Sequence, residues 1–363
     1  MSTTMITGAD GHVGKALAHW LLENSDENLL LLVRATDSDE QSRKLSSLGK
    51  LASSSRCRVA FSDLRQEKPF DVVSPAQITN IIHSAAVTSF AVDQKTAREV
   101  NIEGTRKLVR FAETCSDLRR FCFVSSLYTA GLRDGVVNES IDCNEPEFAN
   151  YYEWSKWQAE QIVANDSSIP WHIYRLATII GEDSSGRVVQ QNVIHNTLRL
   201  FYYGLLSIVP GRADTRVYMV STEFVTSTIG ALLTLKLQDG VYHISDSASD
   251  ALHLGEVIDI VYDAFSKDSR FSRMRILKPL FCDQQAFDSL MSAVDQLGGA
   301  ASQSLQSLAP FAPQLFSDKY IQTTQLSEVL PEYHAPPSRE LLKSVAAQLA
   351  LTRWGLRPTE ELS

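Results

Sequence analysis

The sequence predicts an α/β protein, a doubly wound parallel sheet followed by a smaller, mostly helical C-terminal region. Three observations carry that prediction. Short apolar runs of strand length alternate with longer stretches at helical spacing through the first half of the chain. Residues 29–33 are apolar without interruption, as expected of a strand covered on both faces. A turn spaced by Gly8, Gly11 and Gly14 joins the first strand to the first helix.

The elements follow in order. Residues 5–7 end a short buried strand. Residues 14–24 form a helix, with Leu17, Trp20 and Leu21 at helical spacing. The second strand, 29–33, is ended by Arg34. A third at 58–61 closes on Asp63 and Leu64, and a fourth at 80–83 runs into Ser84, Ala85 and Ala86. A long helix is predicted over 97–114, a strand over 121–125, a helix over 152–165 and a strand over 171–175. After Gly181 the alternation loosens. Helices are expected at 189–203, 255–267 and 283–297, and 298–302 reads as a mobile connection. A final helix follows 335–337, with Ser338 as its cap. The chain thus divides into a nucleotide-binding unit at 1–180, its sheet completed by part of 210–245, and a substrate-binding cap at 181–363.

A chain of 363 residues exceeds one ordinary core, which fits a large domain with a smaller one. The hydrophobic fraction of 44% with 21% charged residues is that of a globular protein in water. The net charge of −9 argues against a nucleic-acid surface. An anionic ligand then needs local positive charge. Cys57, Cys115, Cys122, Cys143 and Cys282 form no Cys-x-x-Cys pair and read as reduced thiols, so a cytoplasmic location is expected. The first strand starts close to Met1, so no signal peptide is expected. No apolar run is long enough to span a membrane. His83, His195 and His243 lack metal-ligand spacing, and no metal is expected.

The chemistry lies in two motifs. The first is Thr7-Gly8-Ala9-Asp10-Gly11-His12-Val13-Gly14. Small residues there let the backbone approach a pyrophosphate, and the following helix offers free N–H groups. Arg34 stands where an acid would bind both ribose hydroxyls. An arginine fork instead suits a 2′-phosphate, so NADP(H) is the expected cofactor. Arg43 and Lys44 are candidates to assist. Asp63 and Leu64 are expected near the adenine. Ala85 and Ala86 leave room for the ribose and phosphates.

The second motif is Tyr152 with Lys156, four apart and so on one helix face. The lysine holds the nicotinamide ribose and lowers the phenol's pKa, which makes Tyr152 the proton donor. Ser126 is expected to hydrogen-bond the same substrate oxygen. Strand alternation favours it over the adjacent Ser125, which stays open. Asn101 is expected to anchor the active-site backbone or a water path to Lys156, beside the simpler reading of a polar helix start.

These residues resemble the extended short-chain dehydrogenase/reductase family, with its Rossmann-type sheet. The resemblance covers roughly residues 3–245 through 7–14, Asp63-Leu64, 83–86, Asn101-Ile102-Glu103-Gly104-Thr105, Val124-Ser125-Ser126 and 152–156. The run Tyr152-Glu153-Trp154-Ser155-Lys156-Trp157-Gln158-Ala159-Glu160 looks most like the thioester reductase branch. That branch includes the reductase domains of carboxylic acid reductases and of peptide and polyketide synthases, and the male-sterility-type fatty acyl reductases. Residues 173–186 are similar to theirs as well. The resemblance implies NADPH reduction of a CoA- or carrier-bound thioester to an aldehyde, or on to an alcohol. The branch usually has threonine at Ser126 and proline at Leu176. No adenylation or carrier domain stands on this sequence, so an acyl or peptidyl carrier would act in trans.

Substrate contacts are expected from the apolar stretches 189–210 and 281–315, which suit an acyl tunnel or a plain helical core. Arg187, Arg199, Arg212 and Arg216 are candidates for a phosphopantetheine or CoA phosphate, or for solvated surface. Two other functions stay open. One is an extended-family reductase or epimerase on a free carbonyl or nucleotide sugar. The other is a dinucleotide-binding protein without catalysis, which would need none of Ser126, Tyr152 and Lys156.

Overall fold

Seven parallel strands make the central sheet of this computed structural model, which describes residues 2–165, 167–297, 306 and 308–354. They are β1 (Thr3–Thr7), β2 (Asn28–Val33), β3 (Cys57–Phe61), β4 (Asn80–His83), β5 (Arg120–Ser126), β6 (Trp171–Leu176) and β7 (Gly240–Ile244). Their order across the sheet is β7-β6-β5-β4-β1-β2-β3. The chain runs outward from β1 to β3, then crosses to β4 on β1's other side. A crevice opens where those two directions part, at the carboxyl ends of β1 and β4.

Strand residues alternate between two apolar layers, as a two-residue period demands. Ile6, Leu29, Leu31 and Ile82 face the helices His12–Asn24 and Thr222–Thr234. Met5, Leu30, Leu32 and Ile81 face the helices Glu103–Ala112 and Tyr151–Asn165. The uninterrupted apolar run of β2 is therefore a consequence of cover on both sides. A third apolar cluster lies in the later chain, where helix Leu254–Phe265 packs on helix Ser338–Thr352. Short parallel pairs stitch this region to the rest. Thr178–Gly181 pairs with Met219–Ser221, and Gly135–Val137 pairs with Lys319–Ile321.

Three local expectations change. The predicted helix over 97–114 contains a π turn, Arg98–Ile102, between Gln94–Ala97 and Glu103–Ala112. The turn carries Asn101, whose side chain binds both backbone groups of Val87. The helix predicted from 189 starts only at Val193, because Asn192 caps it by accepting from the Ile194 N–H. Ser338 does not cap the last helix. It is the first helical residue after Pro337, and its single hydroxyl hydrogen is shared between an Asp246 carboxylate oxygen at 2.7 Å and the Met219 carbonyl at 3.0 Å. The connection expected at 298–302 lies outside the described residues. Among the described residues, no helix is long and apolar enough to cross a membrane.

Helices His12–Asn24 and Thr222–Thr234 meet where Gly230 lies under the Trp20 ring. A Cβ at Gly230 would stand 2.0 Å from a ring carbon. Gly230→Ala is therefore expected to destabilise the chain by about 1–3 kcal/mol through overpacking. Urea unfolding checks this, as a lower midpoint at an unchanged slope.

Candidate active site

A cleft of about 400 Å³ follows the carboxyl ends of the central strands. One end is the glycine turn. Gly8 has φ of +66°, a conformation that favours glycine. A Cβ there would stand 2.8 Å from the Ala85 Cα, and one on Gly14 would stand 2.3 Å from the Gly8 carbonyl oxygen. The turn and the start of helix His12–Asn24 thus touch with no room for side chains. Gly11 caps that helix without any side-chain acceptor, and its first turn holds no acid. Its leading N–H groups and partial positive charge remain for an anion, so these residues fit a dinucleotide diphosphate.

The backbone beneath is held by buried polar groups. His83 bridges Thr7 (2.7 Å) and Thr105 (3.0 Å), and burial pulls its pKa down to about 3, so it is neutral. Ser84 donates to the Thr7 carbonyl at 2.7 Å. His12 contacts Thr222 at 2.8 Å and Glu182 at 3.4 Å, closing the cleft wall.

At the other end stand Ser126, Tyr152 and Lys156. Ser126 ends β5 opposite Leu176 of β6, its hydroxyl oxygen accepts from the Tyr128 N–H at 3.3 Å, and it lines the cleft together with Tyr152. The Ser125 hydroxyl points elsewhere, donating to Glu160 at 2.5 Å. Lys156 donates to the Val124 carbonyl at 2.6 Å, with its nitrogen 3.9 Å from the Phe123 ring centre. Burial pulls the lysine down to about 7, opposed by the Glu160 carboxylate. Burial pushes the Tyr152 phenol up to about 12, opposed by the Ser126 hydroxyl. The lowered phenol pKa expected from the sequence is not seen. Dry surroundings raise it, and the Lys156 ammonium directs its hydrogen bond to a backbone carbonyl.

The cleft lining thus unites Gly8, Gly11, His12, Val13, Gly14, Ala86, Ser126, Tyr152 and Lys156. Other sequence candidates stand off it. Thr7 and Ala85 lie beneath the turn, where the Ala85 N–H donates to Thr7. Asn101 is buried behind the wall, with its amide on Val87 and on Ser155 at 2.8 Å. Arg34 is exposed beyond β2, two residues after Leu32, whose carbonyl accepts from Ala9 in the glycine turn. Asp63 binds Arg65, Leu64 packs on Gly104, and Lys44 pairs with Asp10. Arg187 and Arg199 are exposed, while Arg212 pairs with Asp214 and Arg216 with Asp318.

Two cleft residues, Phe90 and Tyr128, carry no sequence signal of their own. Phe90 lies 5.6 Å from Tyr152 and 5.3 Å from Tyr128, ring centre to ring centre. The Tyr128 hydroxyl contacts Thr178 at 2.9 Å. Only their nearness to the motif strands β4, β5 and β6 could have suggested them.

The sequence profile of the family described as Male sterility protein matches residues 6–229. A linear gramicidin synthase component of Brevibacillus parabrevis is 29% identical over 201 residues, which are 50% of this chain and 4% of that synthase component. The isonitrile lipopeptide synthase of Streptomyces coeruleorubidus is 27% identical over 217 residues, 54% of this chain and 14% of the synthase. The chain is therefore similar to a small part of each relative. The terminal R domain from the myxalamid PKS-NRPS pathway superposes with a TM-score of 0.78 at 18% identity, over 99% of this chain and 92% of that domain. A thiolation-reductase di-domain from an archaeal non-ribosomal peptide synthetase gives 0.73 at 19%, over 97% of this chain and 76% of the di-domain. At these identities the structures speak for the fold.

Lys156 makes stability depend on pH in a stated direction. Its pKa is about 7 folded against 10.5 ordinarily, so unfolding takes up a proton between those values. Its contribution therefore rises with pH across that window. Lys156→Met is expected to flatten the slope of melting temperature against pH there, measured by circular dichroism.

Proposed function

This chain belongs to the Male sterility protein family, NAD(P)-dependent oxidoreductases of the extended short-chain type, and from that premise we propose that it reduces an acyl thioester to an aldehyde with NADPH. One observation carries the reading. Ser126, Tyr152 and Lys156 share a single cleft with an uncapped, glycine-lined helix start. Several of the relatives are synthases or pieces of synthetases, which supports a substrate held on a carrier protein in trans or on CoA. Arg34, exposed at the end of β2, supports the 2′-phosphate and so NADPH over NADH.

The glycine turn and the start of helix His12–Asn24 would hold the cofactor diphosphate, and the nicotinamide would supply the hydride that reduces the thioester carbon. Ser126 and Tyr152 hydrogen-bond the carbonyl oxygen and draw electron density onto it. As charge develops there, the phenol transfers its proton, which its raised pKa keeps in place beforehand. The product is a hemithioacetal. Cleavage of its C–S bond leaves an aldehyde and returns the thiol of CoA or of the carrier. Lys156, one turn from Tyr152 and held on the Val124 carbonyl, would orient the cofactor ribose. Asn101 acts from behind, fixing the Val87 segment and Ser155.

NADPH oxidation with acyl-CoA thioesters, beside the matching free aldehydes and ketones, tests the assignment. Turnover on free carbonyls alone, with carrier-bound thioesters also inert, would overturn it. Tyr152→Phe is expected to lower kcat about 10²–10⁴-fold while NADPH still binds, read by cofactor fluorescence. Full turnover in that variant would remove Tyr152 as the donor. Arg34→Asp is expected to shift preference from NADPH towards NADH at least about tenfold in kcat/KM. An unchanged ratio would place 2′-phosphate recognition elsewhere.

A further inference from the structure

A second cavity lies behind the cleft, inside the third apolar cluster. It measures about 80 Å³, and its walls include Leu198, Phe201, Val257, Val261, Pro279 and Leu315. The lining is apolar almost throughout, and such a space gives water too few partners to be held. One aromatic ring separates it from the cleft. Phe311 lines the cavity and stacks on Phe90 at 5.7 Å with the planes 15° apart. It also meets Tyr128 edge-on at 5.9 Å. Phe90 and Tyr128 line the cleft, and Phe90 touches Tyr152. The chain itself joins the two spaces. Val188, Val189 and Asn192 line the cleft, and the helix that Asn192 caps carries Ile194 and Leu198 into the cavity wall. The Phe311 segment is anchored beside Tyr152, because Asn150 donates to the Pro310 carbonyl at 3.1 Å.

We infer that this cavity receives the apolar tail of the acyl substrate, and that Phe311 divides the tail from the reacting carbonyl. The inference rests on the acyl-thioester reading above and narrows it to aliphatic acyl groups. A peptidyl or sugar chain would lose its hydrogen bonds to water there and find none in return. Each methylene that enters should raise kcat/KM about fourfold, until the cavity is full. Phe311 is then the residue that sets chain length.

Two readouts test this. The first is binding of cis-parinaric acid, a fluorescent fatty acid, to the full chain and to Val257→Phe and Phe311→Ala. The second is kcat/KM for butyryl-, octanoyl- and dodecanoyl-CoA with the same proteins. The fatty acid is expected to bind the parent, and Val257→Phe to weaken it at least about tenfold, the effect of excluding two methylenes. Val257→Phe should also lower the octanoyl-to-butyryl ratio, and Phe311→Ala should raise the dodecanoyl-to-butyryl ratio. Equal binding in all three proteins, or a kcat/KM indifferent to chain length, would overturn the inference. Should Val257→Phe fail to fold, an unaltered length profile in Phe311→Ala overturns it equally. Fatty-acid binding that responds to these variants, with no thioester reduced, would keep the cavity's role and remove the acyl-thioester reading.

Discussion

Glu160 has no exposed surface, yet it is a carboxylate, and the geometry of the cleft depends on how its charge is met. Arg175 of β6 bonds it through Nε at 3.1 Å and Nη2 at 2.7 Å, and Ser125 of β5 donates a third bond. The guanidinium gives its other hydrogens to the Asn138 and Ser140 carbonyls, and it contacts His243 of β7. A buried pair tolerates desolvation only when satisfied to this degree, and removing one partner would leave an unmatched charge in the core. The pair fixes helix Tyr151–Asn165 against β5 and β6 together. With Ser125 turned to Glu160, strand alternation turns Ser126 the other way, to Tyr152. The same helix presents Lys156 to Val124, so one strand end receives bonds from two consecutive helical turns.

Much of the sheet was legible because its physics is local. The apolar run of β2 and the glycine spacing depend on covering layers and on close backbone contact, and both restrict residue type directly. Tyr152, Lys156 and Ser126 were legible for the same reason, since a fixed spacing on a helix and a strand end dictates which side chains share a face. The π turn at Arg98–Ile102 was not. It carries Asn101 onto the backbone of Val87, a tertiary contact that helical periodicity does not encode. Ser338 misled in a similar way. A serine at a helix start ordinarily caps it, but here the nearby Asp246 carboxylate is buried and takes the hydroxyl.

Electrostatics was the least legible part. Spacing places Lys156 one turn from Tyr152, but it does not reveal that both are buried. Burial moves the two groups in opposite directions, because it disfavours the charged form of each. The phenol keeps its proton more firmly and the lysine holds its proton less firmly. For a reduction, a phenol that retains its proton until charge develops on the substrate is the useful state. The motif identifies the pair. Only the surroundings identify which protonation state the pair rests in.

The separation of apolar layers gives the molecule a division of labour. The two faces of the sheet hold the glycine turn and the strand ends, and their clusters share no buried residue with the third. The dry cavity is walled largely by that third cluster. Its walls include side chains of helices Val193–Tyr202 and Leu254–Phe265, which hold neither Ser126, Tyr152 nor Lys156. Substitutions so arranged tend to act independently of those around Ser126, Tyr152 and Lys156. Phe311 is where the independence ends, because its ring packs on Phe90 and Tyr128 while facing the cavity. That aromatic contact is one link between the two spaces, and Ile180, buried in the third cluster while lining the cleft, is another.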